Sequence, residues 1–127
     1  MERASTTLDA SVAAPALARA FVTDRLVAAA CEATVADVAV LLVSELVTNA
    51  VVHVGTGPIE VRVSLEEAGP GYRVEVADGG PPVALRAVVP TAGDLSHRGL
   101  LLVERLSARW GTEPAPGGKV VWFELGP

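Results

Sequence analysis

VAVLLVSELVTNAVVHV, residues 38–54, is the stretch that decides the fold of this chain. It is almost wholly apolar, which predicts a buried helix, yet Glu45, Asn49 and His53 recur at every fourth position. On an α-helix this spacing puts the three polar side chains on one face. Burying a carboxylate without a partner is costly, so the polar stripe should face either a ligand cavity or solvent. The helix alone leaves both interpretations open.

Composition indicates one globular domain over residues 1–127. Half of the residues are hydrophobic and a fifth are charged, which excludes a disordered chain. Ten Lys and Arg residues against fifteen Asp and Glu residues give a formal net charge of -5. This charge would repel nucleic acids and anionic membranes, so we expect neither as a direct partner, and an anionic ligand would need local donors.

Cysteine usage and the N-terminal sequence predict a cytoplasmic location. Cys31 is the only cysteine, which fits a reducing compartment, and its Ala and Val neighbours indicate core packing. Residues 1–21 lack the basic head and continuous apolar run of a signal peptide. Only residues 38–54 resemble a membrane helix, and the polar residues among them, including Glu45, argue against that location.

Two helices are predicted in the first half of the chain. The first covers residues 14–30, with Leu17 and Val27 among its apolar positions. The second is the organising helix, for which Thr34 is the N-cap candidate and Asp37 occupies the capping-box position. The Gly-Thr-Gly-Pro sequence at residues 55–58 should end it.

Alternating patterns predict a sheet. Residues 59–65 alternate strictly and residues 72–77 alternate again after a turn, which predicts an antiparallel hairpin. Residues 119–125 predict a final strand, and residues 5–12 form a weaker candidate for an edge strand. One face of this sheet is apolar, so we predict an α+β fold, a two-layer sandwich whose mixed, mostly antiparallel sheet is covered on one face by helices.

Two further segments are candidates for a site. Asp78 ends the second strand and is followed by Gly79 and Gly80, which permit close backbone approach, although an ordinary turn uses the same residues. Residues 83–97 show little periodicity, as binding loops and lids often do.

A helix is then predicted from the Arg98-Gly99 turn to about residue 109. Its free N–H groups and the guanidinium would suit phosphate, the alternative being an ordinary helix start with a surface arginine.

Taken in order, these motifs resemble one family. SELVTNAVVH, VADGGPP, RGLLLVERLSARWG and GGKVVWFEL together resemble the Bergerat-fold ATP-binding superfamily. More closely, they resemble the anti-sigma-factor serine kinases of the SpoIIAB/RsbW type, including the single-domain versions of actinobacteria. The resemblance covers nearly the whole chain and implies ATP and Mg²⁺ as cofactors.

The resemblance also implies roles for residues of the organising helix. Asn49 would be the ligand of the Mg²⁺ that bridges the nucleotide phosphates. Glu45 would be the general base that accepts a proton from a serine hydroxyl or orients a water molecule. His53 would have only a supporting role.

The other implied roles concern the base and the phosphates. Asp78 would accept a hydrogen bond from the adenine amino group, and Gly80 would keep the floor of the adenine pocket clear. Arg98, Gly99 and Leu100 would cradle the phosphates, and Arg98 would also stabilise the transferred charge.

Two positions depart from the family pattern. His97 replaces the first glycine of a Gly-x-Gly sequence, and Val120 replaces a threonine that commonly helps to bind the adenine side. The leading hypothesis is an ATP-binding regulator that captures a sigma factor and phosphorylates a serine of an anti-anti-sigma (STAS-type) antagonist. The resemblance also allows a homodimer. The alternative is a degenerate, non-catalytic protein-binding module, whereas a sensor histidine kinase lacks support because no phosphoacceptor helix precedes the domain.

Overall fold

Helices pack on one face of a five-stranded antiparallel sheet. The computed structural model describes residues 3–65, 71–80 and 95–126, with the backbone alone for residues 95–100. The elements are β1 (Arg3–Asp9), α1 (Ala14–Ala28), α2 (Ala33–His53), β2 (Pro58–Leu65), β3 (Tyr72–Asp78), α3 (Leu95–Leu106), β4 (Arg109–Ala115) and β5 (Gly118–Leu125). The strand order is β1-β2-β3-β5-β4. The α+β prediction is confirmed, with every described strand pair antiparallel.

Helix α2 is the organising stretch and packs on α1, β3 and β5. It is long and apolar enough to cross a bilayer by composition, but one side of it lines the protein core, whereas Leu41 and Val52 are exposed by 40% and 69%. The buried positions recur at helical spacing: Ala39, Leu42, Val43, Leu46, Val47 and Ala50. The predicted cap was wrong, because Glu32 has the extended backbone of an N-cap and Thr34 and Asp37 already lie inside the helix.

Small residues determine which side of α1 is buried. Its buried positions are Ala14, Ala18, Val22 and Leu26, spaced by four residues. Leu17 and Val27, which were expected on the apolar side of this helix, are exposed by 52% and 70%. The alanines allow the helix to approach its neighbours closely, which turns the larger side chains toward solvent.

The two faces of the sheet differ as the strand alternation predicts. The face toward the helices is apolar and contains Ile59, Val61, Val63, Val74, Val76, Val121, Phe123 and Leu125. The opposite face, which we call the outer face, carries an ion-pair network. Glu75 accepts from Arg62 and from Arg73, at 3.1 Å each. Arg73 also pairs with Glu124 at 3.0 Å and stacks over the Trp122 ring at 4.1 Å from its centroid.

The C-terminal region differs from the prediction in two respects. Helix α3 begins at Leu95, before the Arg98-Gly99 sequence, and ends at Leu106. Residues 109–115, for which no strand was predicted, form β4, which pairs with β5 through a turn where Gly117 has φ +76°. Pro114 conceals β4 in the sequence, and it is tolerated there because β4 is an edge strand. Residues 83–94 of the predicted binding loop, which was expected over residues 83–97, lie outside the described residues, and residues 95–97 belong to α3 instead.

Candidate functional site

Asp78 places a carboxylate at the end of β3, on the side of the sheet that the helices cover. It continues the buried row of Val74 and Val76, because alternate residues of a strand share a face. Its side chain is only 5% exposed. The backbone N–H of Gly80 donates to Asp78 Oδ1 at 2.8 Å, which fixes the orientation of the carboxylate.

Lys119 is the second charged residue at this end of the sheet, next to Asp78. The sequence predicted no site role for it. It lies directly opposite Asp78 in the β3–β5 register, and its Nζ donates to Asp78 Oδ1 at 2.9 Å. A signal for it was present in the sequence. In KVVWFEL, Lys119 precedes the core residues Val121 and Phe123 by two and four positions. Alternate residues of a strand lie on the same face, so the Lys119 side chain projects toward the helices.

Val120 lies on the other side of the sheet. It pairs with Ala77, and its side chain alternates with those of Lys119 and Val121, which puts it on the outer face. Val120 therefore does not face Asp78, and its expected effect on the adenine side is corrected. The residue of β5 that faces this carboxylate is Lys119.

Gly80 is required at the site by close packing rather than by its backbone angles. A Cβ built on it would lie 2.7 Å from Lys119 Nζ, 2.8 Å from Val54 Cγ2 and 3.0 Å from Asp78 Oδ1. A Cβ on Gly79 would come no closer than 3.6 Å to its nearest neighbour. Only Gly80 of this pair therefore packs so closely beside the carboxylate that any side chain would displace its neighbours, and its role in keeping the adenine pocket clear stays a prediction.

The C-terminal end of α2 lies beside Gly80, through the side chain of Val54. With a rise of about 1.5 Å per residue, Asn49 lies about 7.5 Å and Glu45 about 13.5 Å back along the helix axis from Val54. Both are partly buried, whereas His53 is exposed. The base and the triphosphate of a nucleotide lie at opposite ends, so residues that bind them should be separated in this way. The order Asp78, Asn49 and Glu45 suits a nucleotide that extends along α2.

Helix α3 packs against α2 and contains the predicted phosphate residues. Because it begins at Leu95, the N–H groups of residues 95–97 have no acceptor within the helix. Arg98, Gly99 and Leu100 lie beyond these groups, and His97 has a helical backbone rather than that of a glycine loop. The side chains of residues 95–100 are outside the description, so the phosphate roles of Arg98, Gly99 and Leu100 stay predictions.

The side chains present at the candidate site fit the implied cofactors, ATP and Mg²⁺. A buried, oriented carboxylate beside a glycine suits the exocyclic amino group of a purine. In the described part of the chain, no three His, Cys, Asp or Glu residues are grouped as a metal cage. Mg²⁺ that is bound together with a nucleotide needs only one or two protein ligands, because phosphates and water supply the others. Asn49 is suited to be such a ligand.

Comparison with known proteins identifies the domain. The family described as histidine kinase-like ATPase domain matches residues 8–125. Among solved structures, the RsbU and RsbW domains of Rv1364c from Mycobacterium tuberculosis match with a TM-score of 0.76 and 22% identity. That match covers 99% of this chain and 32% of the other. The Erythrobacter litoralis EL346 blue-light activated histidine kinase matches with a TM-score of 0.54 and 29% identity, over 72% of this chain and 30% of the other.

The matches agree in fold but extend beyond this domain. A separate structure of the histidine kinase domain of the Erythrobacter protein gives a TM-score of 0.52 and 29% identity, over 72% of this chain and 44% of the other. The chain thus spans less than half the length of each of these structures. No curated protein matches the chain. Since the family match covers almost all of the sequence, this chain belongs to the histidine kinase-like ATPase domain family, whose members bind ATP.

Proposed function

We propose that the protein is a cytoplasmic ATP-dependent regulator of the anti-sigma-factor serine kinase type. It would bind a sigma factor and phosphorylate a serine of an anti-anti-sigma (STAS-type) antagonist, alone or as a homodimer. The observation that carries the nucleotide-binding part is the buried Asp78 carboxylate held by Gly80. The likeness to a structure that includes an RsbW domain, together with the order of motifs, supports the choice of subtype.

Each site residue has a distinct task in this proposal. Bound ATP would supply the phosphoryl group and, with Mg²⁺, part of the charge neutralisation. Asp78 holds the base and Asn49 completes the metal coordination. Glu45 accepts the proton of the attacking serine hydroxyl, which makes the oxygen a better nucleophile. Arg98 stabilises negative charge on the transferred group.

A non-catalytic protein-binding module is the second candidate. It is supported by the ammonium of Lys119, which already pairs with the carboxylate that would recognise adenine. His97 also supports it, because it replaces a glycine in a phosphate-binding sequence. Val120 no longer counts for this candidate, since it lies on the outer face of the sheet.

Two measurements on the full chain test the proposal. Calorimetric titration with ATP and ADP, with and without Mg²⁺, should show Mg²⁺-sensitive binding in the micromolar range. Candidate STAS-type antagonists encoded by the same genome should then accept labelled phosphate from ATP, and a Glu45→Ala variant should transfer none. Nucleotide binding without transfer to any antagonist would favour the non-catalytic module. No heat at millimolar nucleotide would exclude the ATP-dependent function.

A further inference from the structure

The Asp78 carboxylate receives both of its described hydrogen bonds on one oxygen. The N–H of Gly80 and the ammonium of Lys119 both donate to Oδ1, at 2.8 and 2.9 Å. A carboxylate has two oxygens, and together they can accept about four hydrogen bonds. Oδ2 receives neither of these two donors. A ligand could therefore donate to Asp78 without displacing Lys119.

The ammonium of Lys119 is built into the site. Its side chain is only 14% exposed. The Nζ atom lies beside the carboxylate and next to the backbone of Gly80, where a Cβ would come within 2.7 Å of it. An ammonium has three N–H donors and Asp78 takes one of them. A largely buried charge is stabilised by acceptors for its other donors, and a bound ligand can supply one.

Together, Oδ2 and Nζ present an acceptor next to a donor. The edge of adenine carries the complementary pair, with the amino group as donor beside the ring nitrogen N1 as acceptor. Guanine in the same orientation carries a carbonyl and an N–H at these two positions, so both would be mismatched.

We propose that Lys119 is a second base-recognition residue, which donates a hydrogen bond to N1 of adenine while Asp78 accepts one from the amino group. This inference rests on the proposed binding of ATP and specifies how the base is selected. It differs from the interpretation of Lys119 as a plug, in which the ammonium must leave before adenine enters. The two interpretations predict opposite effects of removing the ammonium on the affinity for ATP.

The test pairs a change in the ligand with a change in the protein. ATP and 1-deaza-ATP, in which a C–H replaces N1, are titrated into the wild type, Lys119→Met and Lys119→Gln. We expect the wild type to bind ATP about tenfold or more tightly than 1-deaza-ATP, as for a charge-assisted hydrogen bond. Lys119→Met should weaken ATP binding by a similar factor and bring the ratio of the two affinities close to one. Lys119→Gln, which retains a donor, should restore part of the ratio.

The control variant is Arg109→Met, which removes a cation from a 73% exposed side chain on the outer face of the same sheet. It should leave both affinities unchanged. Equal binding of the two nucleotides by the wild type would overturn the inference. This part of the test uses no variant, so its result does not depend on whether the variants fold. Tighter binding of ATP by Lys119→Met would overturn it in favour of the plug. Failure of the wild type to bind ATP would instead refute the proposed function, and the inference with it.

Discussion

Lys119 Nζ lies 2.9 Å from Asp78 Oδ1, across the strand pair that joins β3 and β5. The two residues are direct partners in the antiparallel register, so their side chains project from the same face of the sheet. Both are largely buried, and each therefore depends on the other to compensate the cost of removing its charge from water. Asp78, which is predicted to recognise adenine, therefore also stabilises the fold through its ion pair with Lys119.

Replacing Asp78 should affect binding and stability together. Asp78→Asn removes the charged acceptor, so we expect no measurable binding of ATP by calorimetry. It also leaves the ammonium of Lys119 without its counter-charge, which should lower the free energy of unfolding by about 1–3 kcal/mol in urea denaturation. The double variant Asp78→Asn/Lys119→Met should recover part of this stability but not the binding. A single variant as stable as the wild type would contradict the structural part of this prediction.

Gly80→Ala should lower nucleotide affinity more than it lowers stability. The added methyl would overlap the positions of Lys119 Nζ and Val54 Cγ2, and it would also crowd Asp78 Oδ1 at 3.0 Å. We expect a loss of affinity for ATP of about tenfold and a loss of stability of about 1 kcal/mol, because the lysine side chain can move. Gly79→Ala is the matched control, since its methyl would make only ordinary contacts. Similar affinities of the two variants for ATP would show that Gly80 does not border the base pocket.

Variants of Asn49 and Glu45 should distinguish nucleotide binding from phosphoryl transfer. Asn49→Ala removes the proposed metal ligand, so nucleotide binding should lose its dependence on Mg²⁺. Glu45→Ala should bind nucleotide normally and lose phosphoryl transfer by a factor of about 100 or more, the usual contribution of a general base. Titration calorimetry and a transfer assay with labelled ATP measure the two effects separately. If both variants lost binding equally, the proposed division of roles would be wrong.

The outer face predicts a pH dependence of stability. Burial alone would raise the pKa of Glu75, but hydrogen bonds from Arg62 and Arg73 outweigh it and hold that pKa below its ordinary value. A carboxyl group with a lowered pKa in the folded state stabilises the protein above its unfolded pKa, about 4.3 for Glu. This contribution is lost as the pH falls through the folded-state pKa.

Glu75→Gln should therefore be less stable than the wild type at pH 7, and the difference should shrink below about pH 4. Urea denaturation from pH 7 to pH 3 measures both. Glu113→Gln, at an exposed position of β4, is the control and should show little difference at any pH. If the difference in the free energy of unfolding between Glu75→Gln and the wild type stayed constant with pH, lost packing rather than the lost carboxylate would cause the instability.

Local periodicity in the sequence determined most of the fold. The apolar run with polar residues every fourth position specified α2, and strict alternation specified the hairpin of β2 and β3. The position of Asp78 at a strand end followed from the same alternation. These features are local because neighbouring residues alone determine which face of a helix or strand is apolar.

Only the tertiary structure decided which residues meet at the site. Lys119 and Asp78 are 41 residues apart, and the antiparallel register of β3 and β5 brings them together. The same register puts Val120 on the outer face, and pairing with β5 makes a strand of β4 despite its Gly and Pro. Such contacts depend on how strands pair over long sequence separations. Periodicity specifies the face on which a residue lies, whereas its partner across the sheet is set by packing of the whole chain.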